Sequence, residues 1–273
     1  VFSGKKVFIT GGSSGIGKQL AADFLRAGAH VTIAADQPEK LEAARRELAS
    51  FSPSIVSYVC DVGELTQVRS VAAAYLEKFG APDILISNAG FAVYRTFEQM
   101  SSEEIVRLLS VNFLGACMVT REFLPAMIKS GRGNIVLMAS IAGRIVMTPC
   151  GVYCAAKHGL AAWAHTLKLE LSHTDVHVHV IFPGRVETNF FDHESFVTRA
   201  PRKETRHVIP IEDVSHAVFK SIETNRFMTY IPRFYQLLDW FTRAFPFPVE
   251  TLLESLIRSR LTSHRLEKRG NAG

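Results

Sequence analysis

Apolar positions along this chain switch between two periods. Val7, Phe8 and Ile9 form a short run of strand-forming residues that stops at Thr10-Gly11-Gly12. After it, Ile16, Leu20 and Phe24 recur at one-face helical spacing, with Ala21, Ala22 and Leu25 widening the stripe. The alternation continues. Strand-like runs are expected at His30–Ala34, Ile55–Val59, Asp83–Ser87, Gly133–Ser140 and Val176–Phe182. Helix patterns separate them at Pro38–Ser50, Glu64–Phe79 and Val152–Leu171. A longer helix opens on the capping signature Ser101-Ser102-Glu103-Glu104 and continues towards Met127. Ile211–Thr224 reads as a helix and Phe227–Ile231 as a last strand.

Strands alternating with helices imply parallel βαβ units with right-handed crossovers. The expected class is therefore α/β: a doubly wound, Rossmann-type parallel sheet of about seven strands flanked by helices, with a helical C-terminal extension. Residues 1–232 form one domain, and 233–273 form the extension. In such sheets ligands bind beyond the carboxyl ends of the strands. Those ends are rich in small and polar residues: the glycine turn, Asp36, Asp61-Val62, Asn88-Ala89-Gly90, Ser140 and Pro183-Gly184. Strand, glycine turn and helix in succession aim backbone N–H groups at a phosphate. Gly11 permits the turn, Gly15 lets backbone approach a pyrophosphate, and Gly17 lets the helix lie against the strand.

Composition narrows the picture further. At 273 residues, 47% apolar and 21% charged, the chain has the make-up of a globule with a large core. No apolar run reaches the roughly 20 residues of a spanning helix, and there is no signal-peptide pattern. The four cysteines show no CxxC pairing, so reduced thiols and a cytoplasmic setting are expected, and metal binding through Cys150 and Cys154 is not. Although the net charge is +5, basic residues are scattered until the tail, without the aromatic interleaving of an RNA binder. No nucleic-acid partner is expected. His177 and His179 share a strand face but lack a third ligand, so their expected role is structural.

Candidate chemistry centres on Tyr153 and Lys157, four apart on one helix face. Carbonyl reduction needs a proton donor for the nascent alkoxide and a second donor to polarise the oxygen. A phenol is a poor acid–base catalyst near neutrality, its ordinary pKa being about 10. A neighbouring ammonium favours the phenolate. Ser140, at the tip of the preceding strand, would donate to the substrate oxygen. In isolation such a Tyr–Lys pair is an ordinary helix surface; here it follows a strand-end serine inside a dinucleotide-type sheet.

Taken together, TGGSSGIG (Thr10–Gly17), SNAG (Ser87–Gly90), VNFLG (Val111–Gly115), Ser140, YCAAK (Tyr153–Lys157) and PGRVET (Pro183–Thr188) resemble the classical short-chain dehydrogenase/reductase family. The match runs from about Val7 to Thr188. The resemblance implies a catalytic tetrad of Asn112, Ser140, Tyr153 and Lys157, with Asn112 holding a water that links Lys157 to solvent. It implies cofactor contacts from Gly11, Ser13, Ser14, Gly15, Ile16 and Gly17, and from Asp61 and Val62 at the adenine. Asn88, Ala89 and Gly90 would line the cofactor, Tyr153 and Lys157 would meet the nicotinamide ribose, and Pro183, Gly184, Val186 and Thr188 the nicotinamide. Ser87 stands where family members usually carry a first Asn.

Asp36 lies where an acid binds the adenosine ribose hydroxyls and repels a 2′-phosphate, so NAD is favoured. NADP stays open because Lys18 and Lys40 could neutralise a phosphate, and Asp36 could instead cap the helix that starts at Pro38. The resemblance implies a substrate loop at about 188–210, and in it Phe190, Phe191, Phe196 and Val197 suggest an apolar pocket. Arg199, Arg202, Lys203 and Arg206 either meet an acidic headgroup or are solvated. Phe234–Leu261 is split by Pro246 and Pro248 into two amphipathic pieces. It covers the substrate pocket, forms a contact in a homo-oligomer (dimer or tetramer), or makes peripheral contact with a membrane surface. Such extensions resemble family members acting on long-chain or lipid-like ketones, including 3-ketodihydrosphingosine reductases, whose cofactor arginine is missing here. The expected function is hydride transfer between a nicotinamide and a hydrophobic secondary alcohol or ketone (long-chain, lipid-like or steroid). The alternative is a non-catalytic dinucleotide sensor or membrane-associated scaffold on the same fold.

Overall fold

Period-two and period-3.6 runs become strands and helices in the expected order. In a computed structural model that describes residues 1–53, 55–188, 208–245, Phe247 and Glu254, the strands are β1 Lys6–Thr10, β2 His30–Ala35, β3 Ile55–Val59, β4 Ile84–Ser87, β5 Gly133–Met138, β6 Val176–Pro183 and β7 Met228–Ile231. The helices are α1 Gly15–Arg26, α2 Pro38–Leu48, α3 Leu65–Phe79, α4 Ser102–Leu109, α5 Gly115–Lys129, α6 Gly151–Glu170, α7 Ile211–Glu223 and α8 Phe234–Ala244. The strands form one seven-stranded sheet in the order β3-β2-β1-β4-β5-β6-β7, with every pairing parallel. This is the doubly wound Rossmann-type sheet expected from the alternation. The strand order reverses between β1 and β4, the crevice where such sheets bind ligands.

A parallel sheet is covered on both faces, so its central strands are apolar on both sides. On one face Phe8 of β1 packs against Tyr75 of α3 and Phe123 of α5, with ring centroids 5.1 and 4.7 Å away. On the other, Phe24 of α1 stacks on Phe219 of α7 at 4.3 Å, with Phe2 edge-on to both. Such aromatic contacts add about 0.5–1.5 kcal/mol each beyond the area they bury. They clamp helices to both sides of the strands that carry the crevice.

The helix opening at Ser101 starts as its capping signature requires. Ser101 Oγ accepts from Glu104 N at 3.1 Å, and Glu104 Oε2 accepts from Ser101 N at 2.9 Å. It does not run uniformly to Met127. A π-helical turn at Ser110–Leu114 separates α4 from α5, and such turns concentrate at functional sites. By length and composition alone, the Ser102–Lys129 stretch is long and apolar enough to cross a membrane. That corrects the expectation that no run qualifies. Leu108, Val119, Phe123 and Met127 on this stretch are buried in the domain, as in the core helix of any folded body.

Chain contacts divide the protein into Val1–Pro232 and a second unit from Arg233 onward. In the second unit α8 is amphipathic. Asp239 accepts from Arg243 Nε at 2.9 Å, while Phe234, Leu237, Leu238, Trp240 and Phe241 are exposed. The loop at 189–207 and most of 246–261, where the sequence suggested a lid and a second amphipathic piece, lie outside the described residues.

His179 on β6 is fully buried. Its Nε2 lies 2.9 Å from Asn134 Oδ1 and its Nδ1 2.9 Å from Arg226 O, with Ser221 Oγ at 3.3 Å. These contacts tie β5, β6 and the end of α7 together, a structural role as expected. Burial drives its pKa from 6.5 to about 4. The folded value lies below the unfolded one, so the unfolded chain binds the extra proton. Stability from neutral His179 is complete above about pH 6.5 and is lost as the pH falls towards about 4. Urea unfolding between pH 7 and pH 4.5 should therefore show a steeper loss of stability in wild type than in His179→Gln. Parallel slopes would remove His179 as the origin.

Candidate active site

The site begins where β1 and β4 end side by side, Thr10 opposite Ser87. Thr10 Oγ1 accepts from Asn88 N at 3.1 Å and Ala89 N at 3.2 Å. Asn88 Nδ2 donates to the carbonyls of Thr10 and Gly11, both at 3.2 Å. The two strand ends are thus clasped to each other before their chains part. Thr10 was absent from the residues singled out in the sequence, although it opens the glycine motif.

Beyond the clasp, α1 rises from Ser14, whose extended backbone carries no side-chain cap bond. The first amides of α1 are therefore not capped by a side chain, the state that suits an anion. Gly17 sits so close to the turn that a Cβ there would lie 2.1 Å from Gly11 O and 2.6 Å from Asn88 Nδ2. Any side chain would push α1 off the clasp. Thr188, after β6, reaches over this loop to within 3.5 Å of where a Gly15 Cβ would stand. Val186 pairs with Ile209, and Gly184 N donates to Ile231 O at 2.8 Å. The Pro183–Thr188 segment is anchored at the same rim as Ser13, Ser14 and Ile16.

On the other side of the crevice stand the four residues the family resemblance points to. Ser140 follows β5 and opens a single 3₁₀ turn, its Oγ accepting from Ala142 N at 3.1 Å. Tyr153 and Lys157 lie on α6, 8% and 4% exposed. The hydroxyls of Ser140 and Tyr153 are hydrogen-bonded. Lys157 Nζ donates to Met138 O at 2.9 Å and lies 5.8 Å from the Tyr153 ring centre. Asn112, in the π-helical turn, donates to Phe91 O at 2.8 Å and Leu108 O at 3.1 Å. Its Oδ1 is buried with no hydrogen-bond partner. A Cβ on Gly90 would lie 2.6 Å from that oxygen and 3.5 Å from Lys157 Nζ. Gly90 therefore keeps open the gap that Asn112 and Lys157 both face. Gly143 packs equally tightly on α6, 2.6 Å from Lys157 O by the same measure, and the sequence reading passed over it.

Electrostatics here differ from the simple expectation. Burial raises the Tyr153 phenol above its usual range, and the Ser140 hydrogen bond pulls the other way. Burial also lowers Lys157, to about 8. Without a ligand, desolvation therefore outweighs the attraction between ammonium and phenolate, and Tyr153 is protonated at neutral pH. Around it Ala92, Val93, Leu108, Ala142 and Cys154 form an apolar cluster with Phe91, Met100 and Phe113. A hydrogen bond from Cys150 brings Cys154 down to about 7, whereas burial lifts Cys60 and Cys117 to about 11.

At the far end of the crevice are Asp36, after β2, and Asp61, after β3. Gln37 rather than Asp36 occupies the N-cap position of α2. Asp61 Oδ1 accepts from Gly63 N at 2.8 Å, and Val62 is buried against Gly115. Both acids face Arg107 of α4, which the sequence reading missed. Lys18, which could neutralise a phosphate, is paired with Glu47 at 2.9 Å at the surface.

The sheet and this constellation are those of a dinucleotide-fold dehydrogenase. Residues 5–195 match the profile of the short chain dehydrogenase family, and the chain belongs to that family. It is 34% identical over 191 residues to dehydrogenase/reductase SDR family member 7B of Rattus norvegicus, covering 67% of this chain and 58% of that protein. The chain spans about 58–60% of the length of the first curated relatives it matches. Among solved structures, a short chain dehydrogenase/reductase from Burkholderia phymatum in complex with NAD superposes with a TM-score of 0.81 at 24% identity, covering 89% of this chain and 94% of that one. A short-chain dehydrogenase from Sphingobium yanoikuyae in complex with NADPH gives 0.77 at 25%, covering 87% and 93%.

The close approach at Gly17 makes a stability test against an open position. Gly17→Ala should destabilise the protein by about 1–3 kcal/mol or more through overpacking. Gly151→Ala, at the first residue of α6 where a Cβ meets nothing within 4 Å, should stay within about 0.5 kcal/mol of wild type. Denaturant titration compares them, and equal stabilities would contradict the packing at the glycine turn.

Proposed function

We propose that the protein is an NAD(P)-dependent oxidoreductase acting on a hydrophobic carbonyl or secondary alcohol, with Tyr153 as the acid–base group. The observation that carries this reading is the Ser140–Tyr153 hydrogen bond beside buried Lys157, at the rim of the β1–β4 crevice. The residues present suit a dinucleotide. Uncapped amides at α1 suit a phosphate, Asp36 and Asp61 suit an adenosine end, and the unpartnered Asn112 Oδ1 beside Gly90 suits a bound polar group or water. Both the Burkholderia and Sphingobium structures carry a nicotinamide dinucleotide. When bound, such a cofactor supplies or accepts the hydride.

This chain's own residues handle the proton. Tyr153 is protonated at neutral pH because burial disfavours its phenolate, and a loaded phenol is the form that carbonyl reduction consumes. Ser140 donates a second hydrogen bond to the same substrate oxygen. Lys157, held near Met138 O, supplies the positive charge that stabilises the phenolate once the proton has left. The apolar cluster around Tyr153 favours a substrate with little polar surface, such as a long-chain or steroid ketone.

Replacing Tyr153 by Phe removes one oxygen and leaves the apolar packing intact. Turnover of a panel of hydrophobic ketones, followed by absorbance of the reduced nicotinamide, should fall by about 10²–10⁴-fold. Dinucleotide affinity, read by calorimetry, should stay within a few-fold of wild type. A variant keeping most of its turnover would end the acid–base assignment.

A further inference from the structure

The acidic tips of β2 and β3 share a single guanidinium. Arg107 Nη1 donates to Asp61 Oδ1 at 2.9 Å and lies 2.7 Å from Oδ2. Its Nη2 lies 4.0 Å from Asp36 Oδ2. The first contact is a short, charge-assisted hydrogen bond to an acid that Gly63 N also holds. The second is too long for a hydrogen bond and is an ion pair across a gap. Asp61 therefore fixes the position of Arg107, and Asp36 only neutralises the edge that Asp61 leaves. Arg107 is 40% exposed and Asp36 49%, so both are open to a ligand in the crevice. Counting two carboxylates and one guanidinium, the cluster carries a net charge of −1.

Resting on the dinucleotide reading above, we propose that Arg107 is a 2′-phosphate anchor masked by Asp36. As the chain stands, Asp36 accepts from the adenosine ribose hydroxyls and repels an added phosphate. Arg107 serves as a positioning residue that holds Asp61 for the adenine end. With the Asp36 charge gone, the guanidinium is already anchored with its outer N–H groups towards the ribose, and no new basic residue has to be introduced. A planar fork suits a phosphate better than a flexible ammonium does. Cofactor choice is thus set by one charge masking another.

The experiment reads binding rather than turnover and uses nicotinamide-free probes. Wild type, Asp36→Asn, Arg107→Gln and the double variants Asp36→Asn/Arg107→Gln and Asp36→Asn/Arg107→Lys are titrated by calorimetry with ADP-ribose and with its 2′-phosphorylated form at low salt. Wild type should prefer ADP-ribose by at least about tenfold. Asp36→Asn should tighten the phosphorylated probe by about ten- to a hundredfold, the range of one charge-assisted hydrogen bond. That gain should disappear in Asp36→Asn/Arg107→Gln and return in part in Asp36→Asn/Arg107→Lys. Arg107→Gln alone should weaken both probes by a similar factor through the released Asp61. A gain in Asp36→Asn that survives Arg107→Gln, or no gain at all, would overturn the masking. If wild type binds neither probe, the dinucleotide reading fails first and this inference goes with it.

Discussion

Everything in the crevice depends on how two adjacent parallel strands are kept together where their chains turn away to opposite faces. At the tips of β1 and β4 the ladder runs out, and the backbone groups of Asn88 and Ala89 need other partners. Thr10 Oγ1 accepts from both, and Asn88 returns bonds to the carbonyls of Thr10 and Gly11. Each bond contributes about 0.5–1.5 kcal/mol net, whereas a buried group left unpaired costs about 1–3 kcal/mol. The clasp is therefore worth more in what it prevents than in what it adds. It also places Asn88 Nδ2 against the floor of α1, where a Cβ on Gly17 would strike it. Strand pairing, helix placement and the shape of the mouth are one packing problem.

The opposite wall is organised by burial. Tyr153 and Lys157 are both withdrawn from water, and withdrawal disfavours the charged form of each: the phenol goes up and the ammonium comes down. Their proton affinities, nearly equal in water, are thereby driven apart: the phenol holds its proton more tightly and the ammonium less. Attraction between an ammonium and a phenolate across several ångströms is weak unless the medium is dry. The same dryness that raises the phenol thus makes the attraction effective once a phenolate forms. Asn112 completes this wall from a π-helical turn, where the extra residue in the helical ladder aims its amide at Phe91 and Leu108 and leaves Oδ1 facing the gap.

Much of this was legible before any coordinates. The shift from period two to period 3.6 located all seven strands, and a glycine turn after the first strand located the crevice. Boundaries slipped where a side chain rather than periodicity ends an element. The fifth strand stops at Met138, two residues early, because Ser140 is needed as the cap of the next turn. The π-helical turn was illegible, since one extra residue in a helix leaves an apolar stripe almost unchanged. Arg107 was illegible for another reason: on α4 it is an ordinary exposed arginine, and its partners lie 46 and 71 residues away in sequence. Lys18 shows what spacing cannot tell: its place beside the glycines was visible, but its pairing with Glu47 of α2, 29 residues on, was not.

In the proposed reaction Ser140 is both a structural cap and a chemical group. A serine hydroxyl can accept and donate, and which it does is set by what is already bonded. Here the N–H of Ala142 occupies the acceptor side at 3.1 Å, and the extended backbone at Ser140 (φ −169°, ψ 161°) fixes the side chain at the head of the turn. The hydroxyl keeps its proton and a second lone pair, and Tyr153 is hydrogen-bonded to it. A carbonyl oxygen entering the site would take that proton in place of Tyr153, and with the backbone and Oγ already held the rearrangement is confined to rotation of one O–H. The three-residue turn after β5, unremarkable as secondary structure, is what holds the side chain ready for it.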